Sequence, residues 1–238
     1  MNQDMDRSKA KERYAAGKMR QHSTRALFFI GGFGAASWAP LVPLLRERLA
    51  IGEDVLGMML LCIGIGSLLT MPLSGAAAVR FGCRKTLTVA SALFALLLLV
   101  LCLVDSMVLT AISLLIFGAM MGCIDVVVNI QAVLVEKASK RRLMSGMHAL
   151  WSVGGFVGAG LFGVLVGTLG LMPFVSTCIA AGIMLLILAF LPAICCLLAV
   201  KVAEPWWLYP SLYATFGLLA FLVALQALIA AYVYKKVL

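Results

Sequence analysis

The sequence is poor in charge, and this scarcity determines its class. Only 12% of the 238 residues are Asp, Glu, Lys or Arg, whereas 63% are apolar. A water-soluble fold of this size cannot bury so much apolar surface, so lipid is the expected solvent. The seven cysteines show no metal-ligand spacing, so we interpret them as small apolar filler and predict no metal site.

The sequence also lacks a nucleophile–base pair, a phosphate-cradling glycine loop and a nucleotide-binding motif. These absences disfavour a membrane-embedded enzyme, and they imply no cofactor. The net charge of +9 would suit a nucleic-acid partner, but the basic residues are placed before the first apolar run and after alternate ones, so they sort by side of a membrane. We therefore predict the lipid bilayer as the partner and exclude nucleic acid.

Long uncharged runs divide the chain into segments of membrane-spanning length. A bilayer core about 30 Å thick requires roughly 20 uncharged residues in each helix. Five such runs lie between Arg25 and Arg46, Asp54 and Arg80, Lys85 and Asp105, Asp105 and Glu136, and Arg142 and Lys201. The last is long enough for two spans, and a turn from Gly170 to Pro173 divides it, which gives six spans by Ala199. A seventh run, Pro205 to Tyr234, is framed by tryptophan and tyrosine, as interfacial belts are.

The basic residues predict the orientation of these spans. Seven Lys or Arg precede the first span, three follow the second and four follow the fourth, whereas the turns after spans three and five have none. The positive-inside rule therefore predicts a multi-pass protein of the inner (cytoplasmic) membrane with a cytoplasmic N-terminus. The basic segment 1–25 is expected either to rest on anionic headgroups or to be a disordered topology determinant, and the first helix is not expected to be a cleaved signal.

Glycine is distributed unevenly among the spans. Spans one, two, four and five are rich in it, whereas spans three and six are rich in leucine. Since small residues let membrane helices approach closely, we expect spans three and six to face lipid. The chain then divides into an N-terminal segment (1–25), two inverted three-helix repeats (26–104 and 105–200), and a linker with a seventh helix (201–238). This is an all-α membrane fold, and an inverted three-plus-three repeat is typical of one half of a major facilitator transporter.

The most informative polar residue is Asp125, well inside the fourth span, where a charge costs at least a few kcal/mol. Asn129 follows one helical turn later on the same face. We interpret Asp125 as a cavity-facing carboxylate that binds a proton or a substrate hydroxyl, with a buried structural pair as the alternative.

Further candidates for the substrate or proton site lie on spans one and five. His148 and Ser152 are one turn apart on span five, where the histidine either relays protons or lies at the interface near the basic loop. Trp38 precedes Pro40 and Pro43, a pattern that predicts a bent or unwound outer half of the first span.

The loop after the second span resembles the signature loop of the major facilitator superfamily. It contains Gly75, Arg80, Gly82, Arg84 and Lys85, which the resemblance identifies as a gating loop. It departs from the family pattern at one position, where Val79 replaces an aspartate that helps to latch the cytoplasmic gate. The two glycines are expected to allow tight packing and a sharp turn.

Other motifs are closest to the YbjJ-like members, relatives of the fucose permease group. They are Ala36-Ser-Trp-Ala39, Gly64-Ile-Gly-Ser67, Arg80-Phe-Gly82, Asp125-Val-Val-Val-Asn129 and Met147-His148 with Gly154 and Gly158 to Gly160. The resemblance covers residues 26 to 200, the N-terminal six-helix half only. It implies that Asp125 couples protons to uptake of a small, sugar-like solute.

The sequence is therefore compatible with two functions. The first is alternating-access transport of a small polar solute by a half-transporter that pairs with a second half or forms a homodimer. The second is a non-transporting membrane protein, either a remnant or a structural partner. The short segment after residue 200 is compatible with a truncated, rearranged or minimal half.

Overall fold

The structure is a computed structural model that describes the backbone of residues 2–199 and the side chains of residues 17–189. The regular elements of this part are all helical, as predicted. They are α1 (Asn2–Trp38), α2 (Leu41–Leu49), α3 (Glu53–Phe81), α4 (Cys83–Leu103), α5 (Met107–Ser139), α6 (Met144–Gly163), which continues as a π-helical turn (Val164–Thr168), and α7 (Pro173–Ala199). The predicted seventh span, 205–234, lies outside the described residues.

Helix length and composition agree with the predicted spans. Five segments are long and apolar enough to cross a membrane: α1 with α2, α3, α4, α5, and α6 with its π-helical turn. The apolar α7 has 27 residues, which at 1.5 Å per residue is about 40 Å and enough for a sixth crossing. The turn before α7 is confirmed, because Gly170 has a φ of +62° there and Pro173 begins the helix.

The first span is broken where its prolines predict a bend. Helix α1 ends at Trp38, a turn follows at Ala39 and Pro40, and α2 begins at Leu41. Proline lacks the N–H of a helix interior, so the chain restarts its helix instead of continuing it. At the other end α1 begins at Asn2, so the helix of the first span continues into the basic N-terminal segment.

The helices pack in two pairs that reflect the inverted repeat. Helix α3 packs along α5, and α1 packs along α6. In the inverted repeat α1 corresponds to α5, α3 to α6 and α4 to α7. Under this correspondence the α3–α5 pair maps onto the α6–α1 pair. The same correspondence maps the packing of α4 on α5 onto the packing of α7 on α1. The two triplets therefore have the same neighbours, as an inverted repeat requires.

Glycines make both pairs close. A Cβ added at Gly118 would collide with the backbone of Ile63, and one at Gly66 would collide with the backbone of Leu115. In the other pair a Cβ at Gly158 would meet the carbonyl oxygen of Phe33. These positions admit no side chain, because a helix backbone occupies the space.

The third span is more buried among the described helices than its leucine-rich composition suggested. In the most apolar stretch of α4, 44% of the residues are buried, compared with 11% in glycine-rich α3. The buried Phe94 ring of α4 stacks on Phe117 of α5 with centroids 4.4 Å apart. Helix α7 likewise buries Ala181, Met184 and Leu185. Leucine-rich helices bury large side chains between helices, and apolar composition does not distinguish protein neighbours from lipid.

Arg48 fastens α2 to the end of α4. Its guanidinium donates hydrogen bonds to the carbonyl oxygens of Leu101 (2.7 Å), Val104 (2.8 Å) and Cys102, and it pairs with Asp105 at 3.3 Å. The last carbonyls of a helix have no partner within it, so a cation that bonds several of them caps the helix end. The chain after the proline break is thereby held against the third span.

Replacing Arg48 with lysine is expected to lower the unfolding free energy by about 2 kcal/mol, because one ammonium cannot reproduce the planar fork that bonds several carbonyls. Arg46→Lys is the matched control, since Arg46 makes only a single exposed pair with Glu53 at 3.1 Å. Thermal unfolding in detergent measures both variants. Equal effects of the two substitutions would contradict the capping role.

Candidate functional site

A cavity of about 260 Å³ lies between α3, α5 and α6. It is lined by Ser67 and Met71 of α3, Met121, Gly122 and Asp125 of α5, and His148 and Trp151 of α6. Two of the five side chains predicted for the substrate or proton site, Asp125 and His148, thus face the same space from different helices. Most of the lining is apolar, with one carboxylate and one imidazole as its ionisable groups.

Asp125 is half-buried and held in place from its own helix. The side-chain amide of Asn129 donates to the Asp125 carbonyl oxygen at 2.8 Å and to its Oδ1 at 3.3 Å. The spacing of four residues brings the two side chains together on one helix face. The two ion pairs of the described residues do not include Asp125. The alternative is a structural bond from Asp125 to a neighbouring helix, whereas the two bonds given for Asp125 among the described residues come from Asn129 of its own helix.

Helices α3 and α5 pack closely where they form one wall of the cavity. The Ser67 hydroxyl donates to the Gly118 carbonyl oxygen at 2.7 Å, which ties the two helices together one turn from the cavity. A Cβ at Gly122 would lie 2.8 Å from the Ser67 Cα, so this position has room for hydrogen only. The α3–α5 side of the cavity is therefore formed partly by helix backbone, and Asp125 is the ionisable residue that lines this side.

The α6 wall is positioned by α1. A Cβ at Gly31 or Gly32 would collide with Trp151, so the indole and its backbone lie directly on two glycines of the first span. The His148 ring meets Phe28 of α1 edge to face, with centroids 5.1 Å apart. The close α1–α6 packing thus determines where both aromatic side chains meet the cavity.

The other predicted residues lie outside the lining. Trp38 is buried against Phe117, with ring centroids 5.7 Å apart. Ser152 is exposed, and its hydroxyl donates to the His148 carbonyl oxygen at 3.4 Å. Asn129 reaches the site through its bonds to Asp125. We did not predict Met71 and Met121, although each lies four residues from a lining side chain, Ser67 and Asp125, and this spacing could have identified them.

The predicted gating loop is a tight connection between α3 and α4. Gly82 has a φ of +84°, a left-handed conformation that favours glycine, and it alone separates the two helices. Arg84 and Lys85 are exposed, and the Arg80 guanidinium lies 5.3 Å from the Phe81 ring centroid. The tight packing expected at Gly75 is not observed, because a Cβ there would meet no described atom within 4 Å.

Glu136 organises the connection between α5 and α6. Its carboxylate accepts hydrogen bonds from the backbone N–H groups of Leu143 (2.7 Å) and Met144 (2.9 Å). These groups begin α6, and the first N–H groups of a helix need acceptors from outside it. The bond fixes where α6 starts, four residues before His148.

Among the described residues, five helical segments long and apolar enough to cross a membrane, with a small cavity lined by Asp125 between them, are the features of a polytopic membrane protein. Its sequence matches the model of the Major Facilitator Superfamily over residues 26–211. The chain belongs to this superfamily, as the loop after the second span predicted. The narrower YbjJ-like assignment stays a prediction.

Three curated proteins are similar to this chain. An uncharacterised MFS-type transporter of Yersinia pestis is 51% identical over 177 residues, which are 74% of this chain and 45% of that protein. An uncharacterised transporter of Sinorhizobium fredii, y4wD, is 33% identical over 56% of this chain and 35% of its own length. Membrane protein MosC of Rhizobium meliloti is 32% identical over 58% of this chain and 34% of its own length. The chain thus spans less than half the length of each of these relatives.

Proposed function

We propose that this chain is half of a secondary transporter that moves a small polar solute across the inner membrane by alternating access. The observation that carries this proposal is the convergence of Asp125 and His148, from α5 and α6, on one cavity between helices. In superfamily members the solute site lies near the bilayer midplane between the inverted repeats. Membership of the superfamily and relatives named as transporters support membrane transport in general.

Asp125 is proposed to be the proton-coupling group. An ionised carboxylate inside a membrane is costly unless a cation or a proton neutralises it. The bond from Asn129 engages Oδ1, and Asp125 lines the cavity, where its carboxylate can bind a proton or a solute group. His148 is a candidate relay between this cavity and the basic loops, since imidazoles exchange protons near neutral pH.

The outer faces of α3 and α6 are proposed to contact a second half, either another six-helix unit or a second copy of this chain. Large apolar side chains project there, including Leu68, which is 70% exposed, and Phe156, which is 82% exposed. Gly64 and Gly160 lie on the same helices, and a Cβ added at either glycine would have no described atom within 4 Å. Small residues beside large ones suit close packing of one membrane helix on another.

Uptake into proteoliposomes tests transport directly. The resemblance to the fucose permease group makes sugars the first solutes of a panel that also includes amines and drugs. We expect one class to accumulate when an inward proton gradient is imposed and to stop accumulating when a protonophore collapses it. Accumulation that ignores the protonophore would exclude proton coupling, and no counterflow with any solute would favour the non-transporting alternative.

The proposed orientation has its own test, made in a cysteine-free variant. Arg141→Cys, in the loop between α5 and α6, is expected to react with an impermeant maleimide only from the cytoplasmic side. Glu47→Cys, on exposed α2, is the matched control and is expected to react only from outside. Both positions are exposed, so reagent access is similar. The reverse labelling pattern would overturn the orientation.

A further inference from the structure

The chemistry of the cavity lining narrows the class of solute, an inference that rests on the proposed function. Of the seven lining residues, Asp125 supplies the carboxylate, and neither lysine nor arginine is among them. The described ion pairs lie elsewhere, at Arg46 with Glu53 and at Arg48 with Asp105. The lining therefore holds one carboxylate with no lysine or arginine beside it, and His148 is its other ionisable side chain.

This charge distinguishes among solutes. An anion would be repelled by the carboxylate, because charges interact strongly where water is excluded. A neutral sugar would displace water from Asp125 without supplying an opposite charge. The ionised carboxylate would then lose hydration without gaining an ion pair, which is unfavourable. A cation supplies that charge directly, and it competes for the same oxygen atoms as a proton. One carboxylate then accounts for both solute binding and proton coupling.

The remaining lining indicates the body of such a cation. Trp151 provides an indole whose position is set by the glycines of α1, and aromatic rings attract organic cations. Met71 and Met121 add thioether side chains, which are polarisable and adapt to irregular apolar shapes. Only the Ser67 hydroxyl adds a further polar side chain besides His148, and it already donates to Gly118. Such a lining has few groups for the many hydroxyls of a sugar.

We infer that the solute is a compact organic cation, of the quaternary or tertiary ammonium class, held between the Asp125 carboxylate and the Trp151 indole. The cavity between the three helices has a volume of about 260 Å³, which suits a small amine with a methyl-rich or single-ring body.

Equilibrium binding to the purified full chain tests this inference with probes matched in shape. Choline is compared with 3,3-dimethylbutan-1-ol, its uncharged isostere, and benzyltrimethylammonium is compared with fucose. We expect the two cations to bind and to displace each other, with the alcohol and the sugar at least tenfold weaker. Asp125→Asn is expected to weaken cation binding at least tenfold, whereas Asp105→Asn, at the exposed Arg48 pair, leaves it unchanged.

The indole is tested by two substitutions of similar size. Trp151→Phe retains an aromatic ring and is expected to weaken benzyltrimethylammonium binding a few-fold, whereas Trp151→Leu loses the ring and weakens it further. Elution as a single size-exclusion peak establishes that each variant is folded, and Asp125→Glu, which keeps the charge, is expected to restore part of the affinity.

Several outcomes overturn the inference. They are equal binding of choline and its uncharged isostere, cation binding that survives Asp125→Asn, and no cation binding by folded wild-type protein. These results are separate from the proposed function. If fucose binds and accumulates in an Asp125-dependent manner while the cations do not, charge selection is wrong and transport stands. If cations bind without any counterflow, the site stands and transport is wrong.

Discussion

A Gly158→Val variant is expected to fail to assemble the α1–α6 pair, with a loss of at least about 3 kcal/mol of stability. A Cβ at this position would collide with the carbonyl oxygen of Phe33 and lie 2.9 Å from the Ser37 Oγ. The obstacle is helix backbone, which cannot rotate away as a flexible side chain can. We expect little monodisperse protein on size-exclusion chromatography and a strongly lowered thermal transition.

Gly146→Val is the matched control on the same helix. A Cβ at Gly146 meets no described atom within 4 Å, and valine has a slightly better helix propensity than glycine, so the substitution is expected to cost little. We expect near wild-type yield and thermal transition. If both variants unfold alike, glycine matters there for the helix itself and not for contact with α1. If neither variant does, the close approach of α1 and α6 is contradicted.

The second large effect concerns Asp125→Asn in proteoliposomes. Asparagine keeps the size of the side chain and can still bond Asn129, but it cannot take up a proton. Solute accumulation driven by a proton gradient is therefore expected to fall to the level of empty liposomes. Exchange of solute without a gradient is expected to persist in part, because the cavity retains its shape. Paired uptake and counterflow assays on the same preparation measure both quantities.

Asp105→Asn controls for the loss of a carboxylate elsewhere. Asp105 is exposed at the end of α4, where it pairs with Arg48, so gradient-driven accumulation is expected to remain. Unchanged accumulation in Asp125→Asn would remove this residue from the coupling mechanism. Loss of accumulation in both variants would indicate a general effect of acidic residues on folding or insertion.

The membrane spans could be predicted because charged residues and prolines affect helix formation and membrane insertion through their immediate neighbours in the chain. Uncharged runs predicted the helices, and Pro40 and Pro173 marked a break and a helix start, which the structure confirms. Asp125 and Asn129 were placed on one face by the helical repeat alone, and the structure has the bond between them. Each of these predictions depended on neighbours within a few residues in the chain.

The predictions that failed depended on neighbours distant in the chain. Glycine and leucine content did not indicate that α4 is more buried than α3, or that its Phe94 stacks on Phe117 of another helix. The helical repeat assigns a face but not the helix that it meets, so it could not show that Trp38 turns toward Phe117 while Trp151 lines the cavity. Met121 could be assigned to the face of Asp125 by its four-residue spacing, but its apolar side chain gives no sign that this face lines a cavity.

The two walls of the cavity belong to different helix pairs. Ser67, Gly122 and Asp125 lie on the glycine-packed α3–α5 pair, whereas His148 and Trp151 lie on the α1–α6 pair, and α5 and α6 contact each other at few points. Because glycine lets the helices within each pair pack closely, we expect the separation of the α5 and α6 walls to change more readily than the packing within either pair. A ligand that bonds both walls is expected to shift the equilibrium toward the separation of the two pairs that it binds best. The separation of the α3–α5 and α1–α6 pairs is then the structural change through which ligand binding would affect the rest of the bundle.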